Sequence, residues 1–161
     1  MYPAPDFEHK LCEPGLLATR LKTLPRPLVF TNGCFEILHR GHVTYLAQAR
    51  ALGASLIVGV NSDASVKRLN KGIGRPLIAL QDRMAVLAAL QSVSLVTWFD
   101  QDTPLVLIRA CRPDVLAKGG DWKVKDIVGA KQVSGWGGKV FSLPFIYERS
   151  TTALLAKIRG A

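Results

Sequence analysis

The sequence predicts an α/β protein, a Rossmann-like open parallel sheet of five strands with helices on both faces. Three observations predict it. Short runs rich in Val, Ile and Leu recur without polar alternation, the pattern of strands covered on both sides. Segments with helical spacing of apolar residues separate those runs. The junctions carry Gly, Asn, Asp and Ser, which turns and helix starts use. Such alternation implies right-handed crossovers and a ligand crevice beyond the carboxyl ends of the strands.

Each element follows from local composition. "LLATRLKTL", with Leu17, Leu21 and Leu24 at helical spacing, reads as a leader helix, so residues 1–27 form leader and linker and residues 28–161 one domain. "PLVFTNG" is a strand closed by Asn32 and Gly33, and "HVTYLAQARALG" is a helix ending at Gly53. "SLIVGVNSD" is a second buried strand. "ASVKRLNKGIGRP" holds Lys67, Arg68, Lys71 and Arg75 with no acid between them and reads as a mobile, anion-seeking loop. A helix "LQDRMAVLAALQ", a strand "SLVTWF", a helix from near Thr103 and Pro104, and a strand "VLAKGG" follow. A short helix around Lys125 to Val133, a strand "KVFSL" and a final helix "STTALLAKIRG" complete the chain.

Composition excludes several classes. With 48% hydrophobic and 20% charged residues the chain is globular rather than disordered, and 161 residues suit a single domain. The net charge of +9 favours polyanionic partners without choosing among them. Cys12, Cys34 and Cys111 are odd in number and form no CxxC, which argues against a disulfide framework or cysteine-rich zinc site and for the reducing cytoplasm. "MYPAPDFEHK" lacks a signal-peptide core, and no apolar run reaches the ~18 residues of a membrane span, so a soluble protein without membrane attachment is expected.

Chemistry concentrates at the strand ends. His39, Gly41 and His42 follow the first strand and open a helix, where unpaired N–H groups and the positive dipole end attract anions. Two imidazoles there can donate to phosphoryl oxygens and stabilise charge that builds during displacement. A metal reading would add Cys34, giving three ligands in a tight turn with Glu36 the one adjacent carboxylate; a plain loop is the third reading. "RSTT", Arg149 to Thr152, is either a second phosphate site or an ordinary N-cap. Gly119, Gly120 and Asp121 end a strand where a base or ribose could lie against backbone, although "GGD" also marks simple turns. Lys67, Arg68 and Lys71 are a clamp on a substrate phosphate or a solvated face. Neither GxxxxGKS nor GxGxxG follows the first strand, so another solution to phosphate handling is required.

Together, "TNGCFEILHRGH", "GVNSD", "GRP" followed by "DR", "AKGGDW" and "RSTT" resemble the HxGH nucleotidyltransferase superfamily, in its cytidylyltransferase-like branch. "VTYLAQARALGASLIVGVNSDASVKRL", "KGGDW" and "STTALLAKIR" look most like the stand-alone adenylyltransferases of that branch that act on heptose 1-phosphate. The resemblance implies adenylyl transfer from ATP to a sugar 1-phosphate, with Mg2+ riding on the ATP phosphates, no dedicated metal ligands and no covalent intermediate. It implies that His39, His42 and Arg149 are catalytic and that Thr31, Asn32, Gly33, Phe35 and Gly41 shape the nucleotide cradle. Lys118, Gly119 and Asp121 would lie against the adenosine, and Ser150, Thr151 and Thr152 would grip the β and γ phosphates. Glu36, Asp63, Lys67, Lys71, Arg75 and Arg83 would serve the substrate side. The branch usually reads "CFD" where this chain reads "CFE", so Glu36 extends a site-facing carboxylate by one methylene. Members are commonly dimers, which adds a homodimer to the expectations, with neither nucleic acid nor membrane as partner. The competing functions are a cytidylyltransferase acting on glycerol 3-phosphate or a similar phosphorylated alcohol, and a non-catalytic basic nucleic-acid binder.

Overall fold

Apolar side chains of the central strands point alternately to two faces, and different helices cover each. The computed structural model describes residues 3–69, 74–147, 151–158 and 160. In it β1 (Leu28–Gly33), β2 (Ser55–Asn61), β3 (Leu95–Phe99), β4 (Val115–Gly119) and β5 (Lys139–Leu143) form one sheet in the order β3-β2-β1-β4-β5. Every pairing is parallel, so the five-stranded parallel sheet expected from the sequence is observed.

Val29, Leu56, Val58 and Val60 pack on one face with Tyr45 and Leu46 of α2 (Arg40–Arg50) and Met84 and Leu87 of α4 (Leu80–Ala88). Leu28, Phe30 and Ile57 pack on the other with Leu107, Ile108 and Cys111 of α5 (Leu105–Cys111) and Val133 of α6 (Ala130–Gly135). Each such side chain contributes about 1.5–3 kcal/mol by burial, more than the ~1 kcal/mol of a helix cap, so the two-faced sheet dominates the stability. Gly59 lets α5 approach: a Cβ there would lie 2.8 Å from Leu107 Cδ2 and 2.9 Å from Phe30 Cζ.

The strand order reverses at β1. β1 runs beside β2 from Leu28↔Ser55 to Gly33↔Val60, but pairs with β4 only at Val29↔Val115 and Phe30↔Leu116. Beyond those residues the two strands part, and the split is the crevice that doubly wound sheets use for ligands.

Three segments differ from expectation. The leader helix shortens to α1 (Leu17–Leu21), and residues before Leu28 join the main core: Cys12 and Leu17 are buried, and Cys12 N–H donates to the Val96 carbonyl at 2.9 Å. The basic loop begins as α3 (Asp63–Arg68), because Ser62 Oγ accepts from Ser65 N–H at 3.0 Å and caps it. Gly129, with φ +89°, divides the helix expected around Lys125 to Val133 into a 3-10 turn (Val124–Asp126) and α6. The final helix, α7, spans Thr151–Ile158.

Arg83 of α4 holds the site end of the sheet together and is not available to a substrate phosphate, contrary to the role the resemblance implies for it. Its side chain is fully buried. Its guanidinium donates to the carbonyls of Ile78 at 3.0 Å, Cys34 at 2.6 Å and Asn61 at 2.9 Å, and to Asp63 Oδ1 at 2.7 Å. Asp63 is thereby a partner of the scaffold through Oδ1, its side chain 40% exposed. Replacing Arg83 by Leu removes the donor to three carbonyls and a carboxylate, so R83L is expected to lose about 3 kcal/mol of stability, read as a lower denaturant midpoint at constant slope. A loss below about 0.5 kcal/mol, the size of a neutral surface change, would contradict this role.

Candidate active site

The crevice between β1 and β4 opens into a cavity of about 360 Å³. Its wall includes the expected residues Asn32, Gly33, Phe35, Glu36, His39, His42, Arg75, Lys118, Gly119 and Thr151. Cys34, Tyr45, Trp122 and Phe145 line it as well.

The histidines meet because of the turn that precedes α2. Phe35 adopts φ +47° and is buried, setting its ring edge-on to His42 at 5.4 Å between centroids. His39 is the extended N-cap residue of α2, and its ring makes no cap but folds over the first helical turn. There it stacks on His42, centroids 3.9 Å apart and planes 23° from parallel. Gly41 permits this fold: a Cβ would lie 3.0 Å from His39 Cε1 and 3.1 Å from the Tyr147 carbonyl oxygen. Gly41 therefore shapes the cradle without lining it.

Burial pushes the His42 imidazole down to about 4, the neighbouring His39 adds to the shift, and the Ile37 backbone opposes it weakly. His42 is a neutral donor near pH 7. Its ring lines the cavity, with Nδ1 buried.

Tyr45 follows one turn after His42 and closes the base of the crevice. Its hydroxyl shares a hydrogen bond with Thr31 Oγ1 and donates to the Ala117 carbonyl at 3.2 Å. Burial raises the phenol to about 12, so it stays protonated. Thr31 is wholly buried and engaged by Tyr45; it supports the cradle from behind.

Two expected substrate groups are occupied by each other. Arg75 forms a buried ion pair with Glu36, whose other carboxylate oxygen accepts from Leu77 N–H at 2.9 Å. Glu36 thus anchors residues 75–77 at the cavity wall rather than presenting a free carboxylate to a sugar. In the basic stretch, Arg68 pairs with Asp102 at 2.7 Å, and Lys67 lies exposed away from the cavity. Asp121 is also exposed and outside the wall. Lys71, Arg149 and Ser150 lie outside the described residues; Thr151 and Thr152 open α7.

A second cavity of about 300 Å³ adjoins the first, reaching Asn61 at the end of β2, Thr103 and Pro104 after β3, and Ile127 and Val128. The two share Asn32, Gly33, Cys34, Lys118 and Trp122. Lys118 Nζ, which donates to the Asn32 carbonyl at 3.4 Å, stands at their junction. Two compartments meeting at one cation suit a reaction joining two anionic molecules.

A family model described as cytidylyltransferase-like matches residues 30–154. The chain belongs to the cytidylyltransferase-like family. Among the relatives of this family member is the D-beta-D-heptose 1-phosphate adenylyltransferase of Bordetella bronchiseptica, 55% identical over 155 residues, which are 95% of this chain and 96% of the relative. The bifunctional protein HldE of Pseudomonas aeruginosa is 58% identical over 82% of this chain, and the match spans 28% of that longer protein. Among solved structures, the lipopolysaccharide core biosynthesis protein of Thermoplasma volcanium superposes with a TM-score of 0.59 at 26% identity, covering 76% of this chain and 98% of that one. The pantoate-beta-alanine ligase of Francisella tularensis has a similar fold at 15% identity and TM-score 0.62, covering 88% of this chain and 68% of the other.

His42 gives a pH signature. In the unfolded chain it titrates near 6.5 and in the folded protein near 4, so between these values the unfolded state binds more protons. Stability is therefore expected to fall as pH drops from 6.5 to 4. An H42N variant should lose less stability over the same window, as measured by urea unfolding at stepped pH; parallel profiles would count against the buried, neutral imidazole.

Proposed function

We propose that the chain transfers the adenylyl group of ATP to D-glycero-beta-D-manno-heptose 1-phosphate, releasing pyrophosphate and giving ADP-heptose for the lipopolysaccharide core. The observation that carries this reading is the 55% identity to a heptose 1-phosphate adenylyltransferase over nearly the full length of both chains. The paired cavities supply its geometry.

ATP occupies the larger cavity with its triphosphate at the start of α2, and the sugar phosphate enters from the smaller one. A phosphate oxygen of the sugar attacks the α-phosphorus, and the bond from that phosphorus to the bridging oxygen of pyrophosphate breaks. Lys118, on the wall of both cavities, offsets the repulsion between the two anions. His42 and His39 donate to oxygens on which charge builds, and their stacked rings hold that geometry before the reaction. Arg149 and Ser150, with Thr151 and Thr152, complete the grip on the β and γ phosphates in this reading. In this reading Mg2+ is carried on the ATP oxygens, where it would offset their charge.

The remaining basic stretch lends little to a nucleic-acid reading, since Arg68 and Arg75 are paired with carboxylates. No helix among the described residues is long and apolar enough to cross a membrane. Soluble substrates suit a cytoplasmic enzyme, and the family resemblance adds a homodimer to the reading.

Pyrophosphate release measured with each pairing of ATP or CTP with heptose 1-phosphate or glycerol 3-phosphate tests the assignment. ATP with heptose 1-phosphate should turn over, and exclusive use of CTP would overturn it. His42→Ala should keep its thermal transition and lose about 10²–10³ in kcat, the usual effect of removing one preorganised donor.

A further inference from the structure

Two helices from distant parts of the chain meet at the main cavity. The N-cap and first turn of α2 bring His39 and His42 to its wall, and the start of α7 brings Thr151. Residues 144–147, which lead from β5 toward α7, touch α2 at three points. Phe145 meets Tyr45 edge-on, centroids 5.8 Å apart at 69°. The Tyr147 carbonyl oxygen packs against Gly41, 3.1 Å from where a Cβ would stand. The Arg40 guanidinium carbon lies 3.8 Å from the centre of the Tyr147 ring.

Arg40 and Tyr147 are not on the cavity wall, and Arg40 is the exposed first residue of α2. A cation at that position is opposed by the positive end of the helix dipole, so helix stability does not account for it. The aromatic ring does: its face attracts a cation, and the planar guanidinium stacks on it. Helical side chains lean toward the N-terminus of their helix, which turns Arg40 back across the helix start to the connection. Four residues after Tyr147 the chain reaches Thr151, a span of at most about 14 Å when fully extended. Where the Tyr147 ring is held therefore bounds where the start of α7 can stand relative to the histidines.

We propose that Arg40 and Tyr147 are positioning residues, a cation–π clasp that holds the start of α7 against α2 so that both helices address one triphosphate. The inference rests on the nucleotide reading above and adds two groups that touch no substrate. With the clasp broken, the start of α7 has to be ordered by the triphosphate itself, which weakens its binding. Because ground state and transition state are held alike at the β and γ phosphates, the loss falls on KM for ATP and leaves kcat in place.

Kinetics with ATP and heptose 1-phosphate, and calorimetry with inorganic tripolyphosphate, test the clasp on the full chain. Arg40→Met keeps the stem without the charge, Tyr147→Leu keeps apolar bulk without the ring, and Tyr147→Phe keeps the ring. R40M and Y147L should each raise KM for ATP and Kd for tripolyphosphate about two- to fivefold, the worth of one exposed cation–π contact, with kcat and KM for heptose 1-phosphate unchanged. Y147F should match the unmodified protein. The double variant R40M/Y147L should be no weaker than either single one, since both remove the same contact. Additive losses, a Y147F variant as weak as Y147L, unchanged tripolyphosphate binding, or an equal rise in KM for heptose 1-phosphate would each overturn the clasp. Should Y147L fail to fold, R40M and Y147F decide the matter. An unmodified protein that does not turn over ATP with heptose 1-phosphate would overturn the enzymatic reading, and the tripolyphosphate arm would still decide the clasp.

Discussion

The early parting of β1 from β4 is the constraint on which the rest depends. After Phe30 and Leu116 the two strands no longer share a ladder, although both continue, to Gly33 and Gly119. Backbone groups inside such a split lose their sheet partners and need others. The Tyr45 phenol supplies one, spanning from Thr31 to the Ala117 carbonyl, and the Lys118 ammonium supplies another by reaching the Asn32 carbonyl. One residue sets the width of the crevice and the other puts a cation at its mouth. Since Tyr45 and His42 lie one turn apart on α2, the group that wedges the strands also fixes the helix that carries the histidines.

Charge is divided between scaffold and site in a way that the net value of +9 conceals. Arg83 and Arg75 are buried in hydrogen bonds and an ion pair that hold α4 and residues 75–77 against the ends of β1 and β2. Guanidinium groups suit this work because a planar fork reaches several oxygens and does not lose its proton on burial. The site itself holds Lys118 and neutral imidazole. A neutral His42 adds no repulsion to its stacked neighbour, and it gains a reason to take up a proton only when an anion arrives.

Much of this was legible in the sequence, and the misses share a cause. Unbroken runs such as "SLIVGV" announced strands covered on two faces, and the strand-turn-helix setting of His39 and His42 put them at the crevice. What the sequence could not disclose was pairing between distant elements. The resemblance put Arg83 on the substrate side, and nothing near it in the chain indicates that Cys34, Asn61 and Asp63 would surround its guanidinium. Arg68 looked unopposed because Asp100 and Asp102 come from the loop after another strand. Tyr45 could have been found, since it follows His42 at the spacing that shares a helix face. Phe145 carried no such signal: an aromatic before a hydroxyl-rich helix start has no distinctive pattern.

Glu36 is engaged at both carboxylate oxygens. Its carboxylate, on the loop after β1, accepts from Arg75 through one oxygen and from the Leu77 N–H through the other, so both are committed to the segment that leads into α4. Arg83 fastens the far end of that segment by accepting no one and donating to Ile78, so residues 75–78 are held at both ends against the loop that also carries Cys34 and Phe35. A shorter acid at position 36 would have to bring this segment closer or release one of the two bonds, since side-chain reach here is set by covalent geometry. Glu36 therefore acts on the cavity by fixing its wall. Lys118, on the wall of both cavities, owes its place between two compartments to the same parting of β1 and β4.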